Sequence, residues 1–247
     1  MFISSKQSIM TVKENPLKHF RIKAISPPYA LKPYIDSYYV YEDLGESYRN
    51  NFFRALPNGR VELFFIFNGN QIVFLDKRHK QLLSAFLAGI FELSYPMMIR
   101  IESDGRKFKG LSVIFTHLGV NQLLGINLYA ITNRVVELDQ FTDIYRQYVN
   151  ISKIEEEKHV FGNLNTFFFD RLRNKSNYKQ SIIPVLNHLE KMTGLLSVGR
   201  LAHELQISYK SLYRLFIDEM GISPKIYLKI VRFNKACYLL DSTDKPN

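Results

Sequence analysis

The 247-residue chain is 46% hydrophobic and 14% aromatic, which excludes a disordered polymer and supplies apolar surface for one large core or two small ones. A formal charge of +10 suits an anionic partner without identifying one. The single cysteine, Cys237, excludes an internal disulfide and fits a reducing cytosol.

Residues 1–15 read as a polar tail with no apolar segment of the signal-peptide kind, so a cytoplasmic protein is expected. Weak strand alternation from Leu17 to Ile25 ends at Pro27-Pro28, and Leu31 to Asp36 suits a short helical turn. Tyr38, Tyr39, Val40 and Tyr41 then predict a strand from β-branched and aromatic content. Arg60 to Phe67 and Gln71 to Leu75 flank Asn68-Gly69-Asn70, a strong hairpin signal. Leu82 to Phe91 reads as one more buried strand, too short to span a bilayer, with Gly89 at a bulge or close approach. Tyr95 to Glu102 and Phe108 to Thr116 flank Asp104-Gly105 and predict a second hairpin. After Gly119 the period changes, and Val120, Leu123, Leu124 and Leu128 suit a short helix. The stretch from Gly110 to Asn133 is uncharged but too often interrupted by polar residues for a membrane helix, so no membrane partner is expected.

From Ile154 to Leu172 one helical side carries Val160, Phe161, Leu164, Phe168 and Leu172. Glu155, Glu156 and Glu157 stand where the helix dipole favours acids, and Arg171, Arg173 and Lys175 where it favours bases. This helix either packs on the β-rich part or pairs two subunits. Asn174 to Gln180 makes a polar linker, and Ile182, Ile183, Leu186 and Leu189 start another helix. Val198, Leu201, Ala202 and Leu205 then recur at helical spacing behind Ser197 as N-cap. Ile207 closes a tight break, and Ser208 caps a second helix with Leu212, Leu215 and Phe216 inward and Lys210, Tyr213 and Arg214 outward. Gly221 ends it as a left-handed residue, and Ser223-Pro224 opens a further helix. Two short helices around a tight turn, the second exposing basic and aromatic side chains early, describe a helix-turn-helix. The helix from Pro224 places Cys237 in line with Ile226, Ile230, Phe233 and Leu240, which predicts a buried thiol.

The residues Leu201-Ala202, Ser208, Leu212, Arg214, Phe216, Gly221, Ser223-Pro224, Tyr227-Leu228, Arg232, Ala236 and Leu239-Leu240 together resemble the first half of an AraC-type DNA-binding domain. In that family a long linker helix follows, then a second helix-turn-helix; the sequence ends at Asn247, where that second motif would begin. Leu56-Pro57-Asn58-Gly59 with Glu62-Leu63, then Gly110-Leu111-Ser112-Val113-Ile114-Phe115 and Val136-Glu137-Leu138, resemble the N-terminal domain preceding many such modules. The resemblance implies a cupin-like β sensor whose ligand it does not supply. The expected class is therefore α+β: a tail over 1–15, a β-rich sensor-like domain over 16–150, a helix and linker over 151–180, and an incomplete all-α helix-turn-helix domain over 181–247.

The resemblance also implies a transcription regulator whose partners are double-stranded DNA, a small-molecule effector of the N-terminal domain and a second copy of the chain. Arg214 matches a recognition-helix arginine; its guanidinium fork can bridge guanine O6 and N7 or grip a phosphate, and an ion pair with Asp218 is the plainer alternative. Lys210 and Tyr213 match positions that enter the major groove, with partial burial a rival reading for Tyr213. Ser208 and Tyr209 fall to the DNA backbone, although capping accounts for Ser208 by itself. On the linker helix Lys225, Lys229 and Arg232 share one face with no acid among them, either a solvated stripe or a phosphate-facing one. From Ser181 onward nine Lys/Arg stand against six Asp/Glu, so most of the net charge lies before the helix-turn-helix.

No catalytic, cofactor or metal set assembles from the sequence. His19, His79, His117, His159, His188 and His203 are scattered, and no phosphate-binding glycine loop or nucleophile elbow is present. His117, at a strand end, is the histidine most worth following, with a loop role the plainer reading. An enzyme is not expected. Two other classes stand behind the DNA-binding one: a sensor or interaction protein without independent DNA binding, and a small-molecule enzyme on a cupin-like scaffold.

Overall fold

The computed structural model describes residues 20–43, 53–55, 59–75, 80–92, 97–102, 105–154, 156–173, 182–191 and 196–243. The tail over 1–15, the linker over 174–180, Leu56-Pro57-Asn58, Asp104, Glu155, His19 and His79 lie outside these residues, as does the side chain of His117. The first part is β-rich. A six-stranded antiparallel sheet runs in the order β1 (Phe20–Ile25), β2 (Ile35–Asp43), β9 (Lys109–Phe115), β4 (Val61–Phe67), β7 (Ala85–Ala88), β10 (Val135–Glu137). A four-stranded antiparallel sheet faces it, in the order β3 (Phe53–Ala55), β8 (Met97–Glu102), β5 (Gln71–Leu75), β6 (Lys80–Leu83).

Alternation along the strands splits the side chains between two cores. Leu63, Phe65, Leu111, Val113 and Phe115 point to the outer face of the larger sheet and into the main core. There they meet α3 (Thr142–Ile151) and α4 (Glu157–Arg173). Phe65 stacks on Tyr148 at 5.7 Å, Phe115 meets Phe168 edge-on at 5.9 Å, and the Tyr38 hydroxyl donates to Asn165 Oδ1 at 2.8 Å. Burial pushes the Tyr38 pKa upward. The apolar side of α4 is thus spent on the sandwich, where Val160, Leu164 and Phe168 are buried. Phe64, Ile66, Phe86, Ile72, Phe74, Ile99 and Ile101 form the second core, between the sheets.

Three sequence expectations fail in the same way. Asn68 and Gly69 both have positive φ, 63° and 72°, as a tight turn requires. Yet β4 pairs with β7 and β9, while β5 pairs with β6 and β8, so the turn links two sheets rather than closing a hairpin. The run from Leu82 to Phe91 is not one strand. It bends at Ser84, leaving β6 in the smaller sheet and starting β7 in the larger. The segments on either side of Asp104-Gly105 likewise separate, β8 pairing with β3 and β5, and β9 with β2 and β4. Residues apolar on both faces carry no period that says which sheet they join. Gly89 does make a close approach: a Cβ there would lie 1.8 Å from the Ile131 carbonyl oxygen.

After β9 come the short α1 (His117–Gly119), a π turn over Val120–Leu124 and α2 (Leu128–Ile131). The C-terminal part is helical: α5 (Ile183–Lys191), α6 (Val198–Glu204), α7 (Tyr209–Met220) and α8 (Pro224–Thr243). Cys237 on α8 is half-buried, not enclosed as its alignment with Ile226 and Ile230 suggested. Among the described residues no helix is long and apolar enough to cross a membrane.

Candidate nucleic-acid interface

Local chemistry sets each helix end of the C-terminal part. Ser197 Oγ accepts from the Arg200 amide at 3.2 Å, which satisfies one of the orphan amides opening α6. The chain turns through Gln206, at φ 53°, with the Ile207 amide donating to the Ala202 carbonyl. Ser208 Oγ then accepts from the Ser211 amide at 3.0 Å and starts α7. Gly221, at φ 70°, closes it by donating to the Ile217 carbonyl. Ser223 Oγ accepts from the Ile226 amide, with Pro224 in the first turn of α8 where no amide donor is needed.

This frame fixes which side of α7 faces inward. Leu201, Ala202, Leu212, Phe216, Met220, Tyr227 and Leu228 are buried, and the Phe216 and Tyr227 rings meet at 5.5 Å. Helix α5 packs on this bundle through Val185, Leu186 and Leu189, and two ties complete it: Glu219 Oε2 accepts from the Ile182 amide, and His188 Nε2 lies 2.7 Å from Glu204 Oε2. The His188 contact, with a second bond from Arg200, holds the Glu204 carboxyl below its usual pKa. Sequence periodicity gave no sign of these polar ties, because their partners lie on different helices.

All eight residues singled out from the sequence are exposed: Ser208, Tyr209, Lys210, Tyr213 and Arg214 on α7, and Lys225, Lys229 and Arg232 on α8. Tyr209 and Tyr213 are 55% and 45% accessible, so Tyr213 reaches the surface although part of its ring is covered. Arg214 Nε sits 3.5 Å from Asp218 Oδ2 in an exposed pair that water and a competing anion can replace. The first two turns of α7 therefore present hydroxyl, aromatic and guanidinium groups together, while α8 carries a separate basic stripe.

The helix-turn-helix is also bound to the sandwich. Thr132 Oγ1 donates to the Leu128 carbonyl at 3.0 Å and lies 3.2 Å from the Gly221 carbonyl. A Cβ on Gly221 would come within 2.6 to 2.7 Å of Thr132 Oγ1, the Leu128 carbonyl carbon and the Tyr129 amide. Gly59, before β4, leaves room for Ile230 of α8, whose Cγ2 would stand 3.2 Å from a Cβ there. None of this docking is visible in sequence spacing.

Inside the sandwich one polar group stands out. Glu62 of β4 shares its face with Phe64 and Ile66, toward the second sheet. Desolvation raises its pKa to about 7, against a lowering contribution from the Ser112 hydroxyl that donates to it. The Tyr41 hydroxyl lies 3.4 Å from Ser112 Oγ, and burial, then the Glu62 charge, push the Tyr41 pKa up. Among the described residues no group of three His, Cys, Asp or Glu side chains comes close enough to hold a metal ion.

Residues 23–137, from within β1 to the end of β10, match the model of a family described as a domain of unknown function, DUF6597. No curated protein matches the chain. Among solved structures it is similar to an apo ToxT variant from Vibrio cholerae, at 12% identity and a TM-score of 0.46, covering 85% of this chain and 84% of that one. A second Vibrio cholerae ToxT, described as bound to an unsaturated fatty acid, gives 12% identity and a TM-score of 0.46, with coverage of 85% and 82%. The AraC-like transcriptional activator CuxR gives 11% identity and a TM-score of 0.26, with coverage of 92% and 87%. At such scores these likenesses assign no residue a role.

Proposed function

We propose that this chain is a DNA-binding transcription regulator of AraC type, not an enzyme, in which α7 enters a major groove and the N-terminal sandwich governs how α7 is presented. One observation carries the reading: the inward face of α7 is locked by Leu212, Phe216 and Met220, while its first two turns expose Tyr209, Lys210, Tyr213 and Arg214 together. An α-helix fits the major groove, and its N-terminal residues are the ones that reach base edges. Arg214 would contact a guanine or a phosphate, Lys210 and Tyr213 the groove, and Ser208 and Tyr209 the backbone. Lys225, Lys229 and Arg232 would lie along phosphates. A small-molecule effector and a second copy of the chain, paired on adjacent half-sites, complete the proposal.

Fluorescence anisotropy on mixed-sequence duplex DNA, titrated with salt, tests it. About four phosphate contacts would give a log–log slope near −3.6 and cost roughly 100-fold in affinity between 50 and 200 mM salt. Absence of binding by this chain at low salt would sink the reading and move the search to a protein partner.

A further inference from the structure

Buried carboxylates are held by counter-charges or several donors, because an isolated charge in an apolar interior is costly. Glu62 has one donor, the fully buried Ser112, and no basic side chain among the described residues pairs with it. Its cross-strand neighbours are Ala88 on β7 and Ile114 on β9, neither of them polar. The facing four-stranded sheet supplies Ile72, Phe74, Leu83, Ile99 and Ile101 to this core. The titratable group that acts with Glu62 is the hydroxyl of Tyr41 on β2, which Tyr39 on the same strand also influences.

The surroundings are aromatic. Tyr41 stacks on Phe64 at 5.3 Å, Phe64 stacks on Phe86 at 5.3 Å, and Tyr39 lies 6.3 Å from Tyr41. Gly110 permits this arrangement, since a Cβ there would stand 2.9 Å from the Phe64 ring. Phe64 and Phe86 are closed off, whereas Glu62, Tyr41 and Ala88 are only half-buried. A carboxylate short of a counter-charge, reachable beside aromatic rings and apolar side chains, is complementary to one kind of molecule. Its charge must be positive and its body apolar.

We propose that the half-exposed margin of the sandwich formed by Glu62, Tyr41 and Ala88 binds a small organic ammonium, with the carboxylate as counter-charge and Tyr41 and the neighbouring apolar side chains holding the hydrocarbon body. This names the chemical class of the effector in the preceding reading, but it stands or falls on the sandwich alone, whether or not the chain binds DNA.

The test is calorimetric titration of the full chain at pH 8 with phenethylammonium and hexylammonium, beside hexanol and hexanoate as neutral and anionic matches. The amines are expected to bind, and the alcohol and carboxylate at least tenfold more weakly. Glu62→Gln, with its fold checked by circular dichroism, should lose at least tenfold in amine affinity, and wild-type affinity should fall as pH drops from 8 to 5.5 and the carboxyl is neutralised. Ser112→Ala keeps the carboxyl but removes its donor, so the midpoint of that pH dependence should move upward. Equal binding of hexanol or hexanoate, unchanged amine affinity in Glu62→Gln, or no binding by either amine would each overturn the proposal. Loss of DNA binding with amine binding intact would overturn only the regulator reading.

Discussion

Arg214 is held by one exposed ion pair with Asp218, so its removal should cost the fold almost nothing. Arg214→Ala should nevertheless weaken DNA binding about tenfold, as loss of a bidentate contact does, with an unchanged melting temperature; anisotropy and thermal unfolding on one preparation measure both. Ser208, by contrast, serves the fold as well. Its hydroxyl accepts the Ser211 amide, and Ser208→Ala should destabilise by about 1 kcal/mol, read by denaturant unfolding. Glu62 gives stability a pH dependence. Its folded pKa, about 7, lies above its ordinary value of 4.5, so the folded state holds the proton more tightly. Stability from this group is complete below pH 4.5 and falls as pH rises toward 7, by about 3 kcal/mol in all, and Glu62→Gln should remove that slope. The caps at Ser197, Ser208 and Gly221 were legible in the sequence because each acts within its own turn. Glu62 was not: in Val-Glu-Leu-Phe-Phe-Ile-Phe a lone acid reads as outward-facing, and only the four-stranded sheet packed over the Phe64 and Ile66 face of β4 puts it between two sheets.

Among the elements, α7 and α8 divide the proposed work between reading bases and holding phosphates. Replacing Lys225, Lys229 and Arg232 together with glutamine should weaken binding to all duplexes alike and reduce the salt slope by about three, whereas Arg214→Ala should alter preference among sequences. Competition titrations against two unrelated duplexes at several salt concentrations separate the two effects. Helices α4 to α8 were readable from period and caps, since an amphipathic helix in contact with one core repeats its apolar residues at a fixed spacing, whereas α3 was not read from the sequence. The strands were readable as strands but not as partners. Val61 to Phe67 is apolar on both sides because one side meets α3 and α4 and the other meets the second sheet, and that double burial erases the alternation which would orient it. The turn at Asn68-Gly69 was right in conformation and silent about destination.

For the whole molecule, one buried cluster runs from the outer face of the larger sheet through Leu128 and Ile131 to Met220, Ile222 and Ile230. Sandwich and helix-turn-helix should therefore melt together, as a single calorimetric transition. Gly221→Ala should break that unity: the left-handed backbone costs about 1–2 kcal/mol for any residue with a Cβ, and the methyl would strike Thr132 and Leu128 besides. Two transitions, or a clear loss of overall stability, are expected in the variant. The glycine also divides α7 into regions under different kinds of selection. Its last turn, running into Gly221, is committed to the sandwich, so a recognition helix borrowed from another protein would have to arrive with a matching glycine and matching apolar residues. Its first two turns are exposed and carry no such obligation. In the proposed reading, binding preference could change through Lys210, Tyr213 and Arg214 alone, while the seam with the sandwich would have to change on both sides at once.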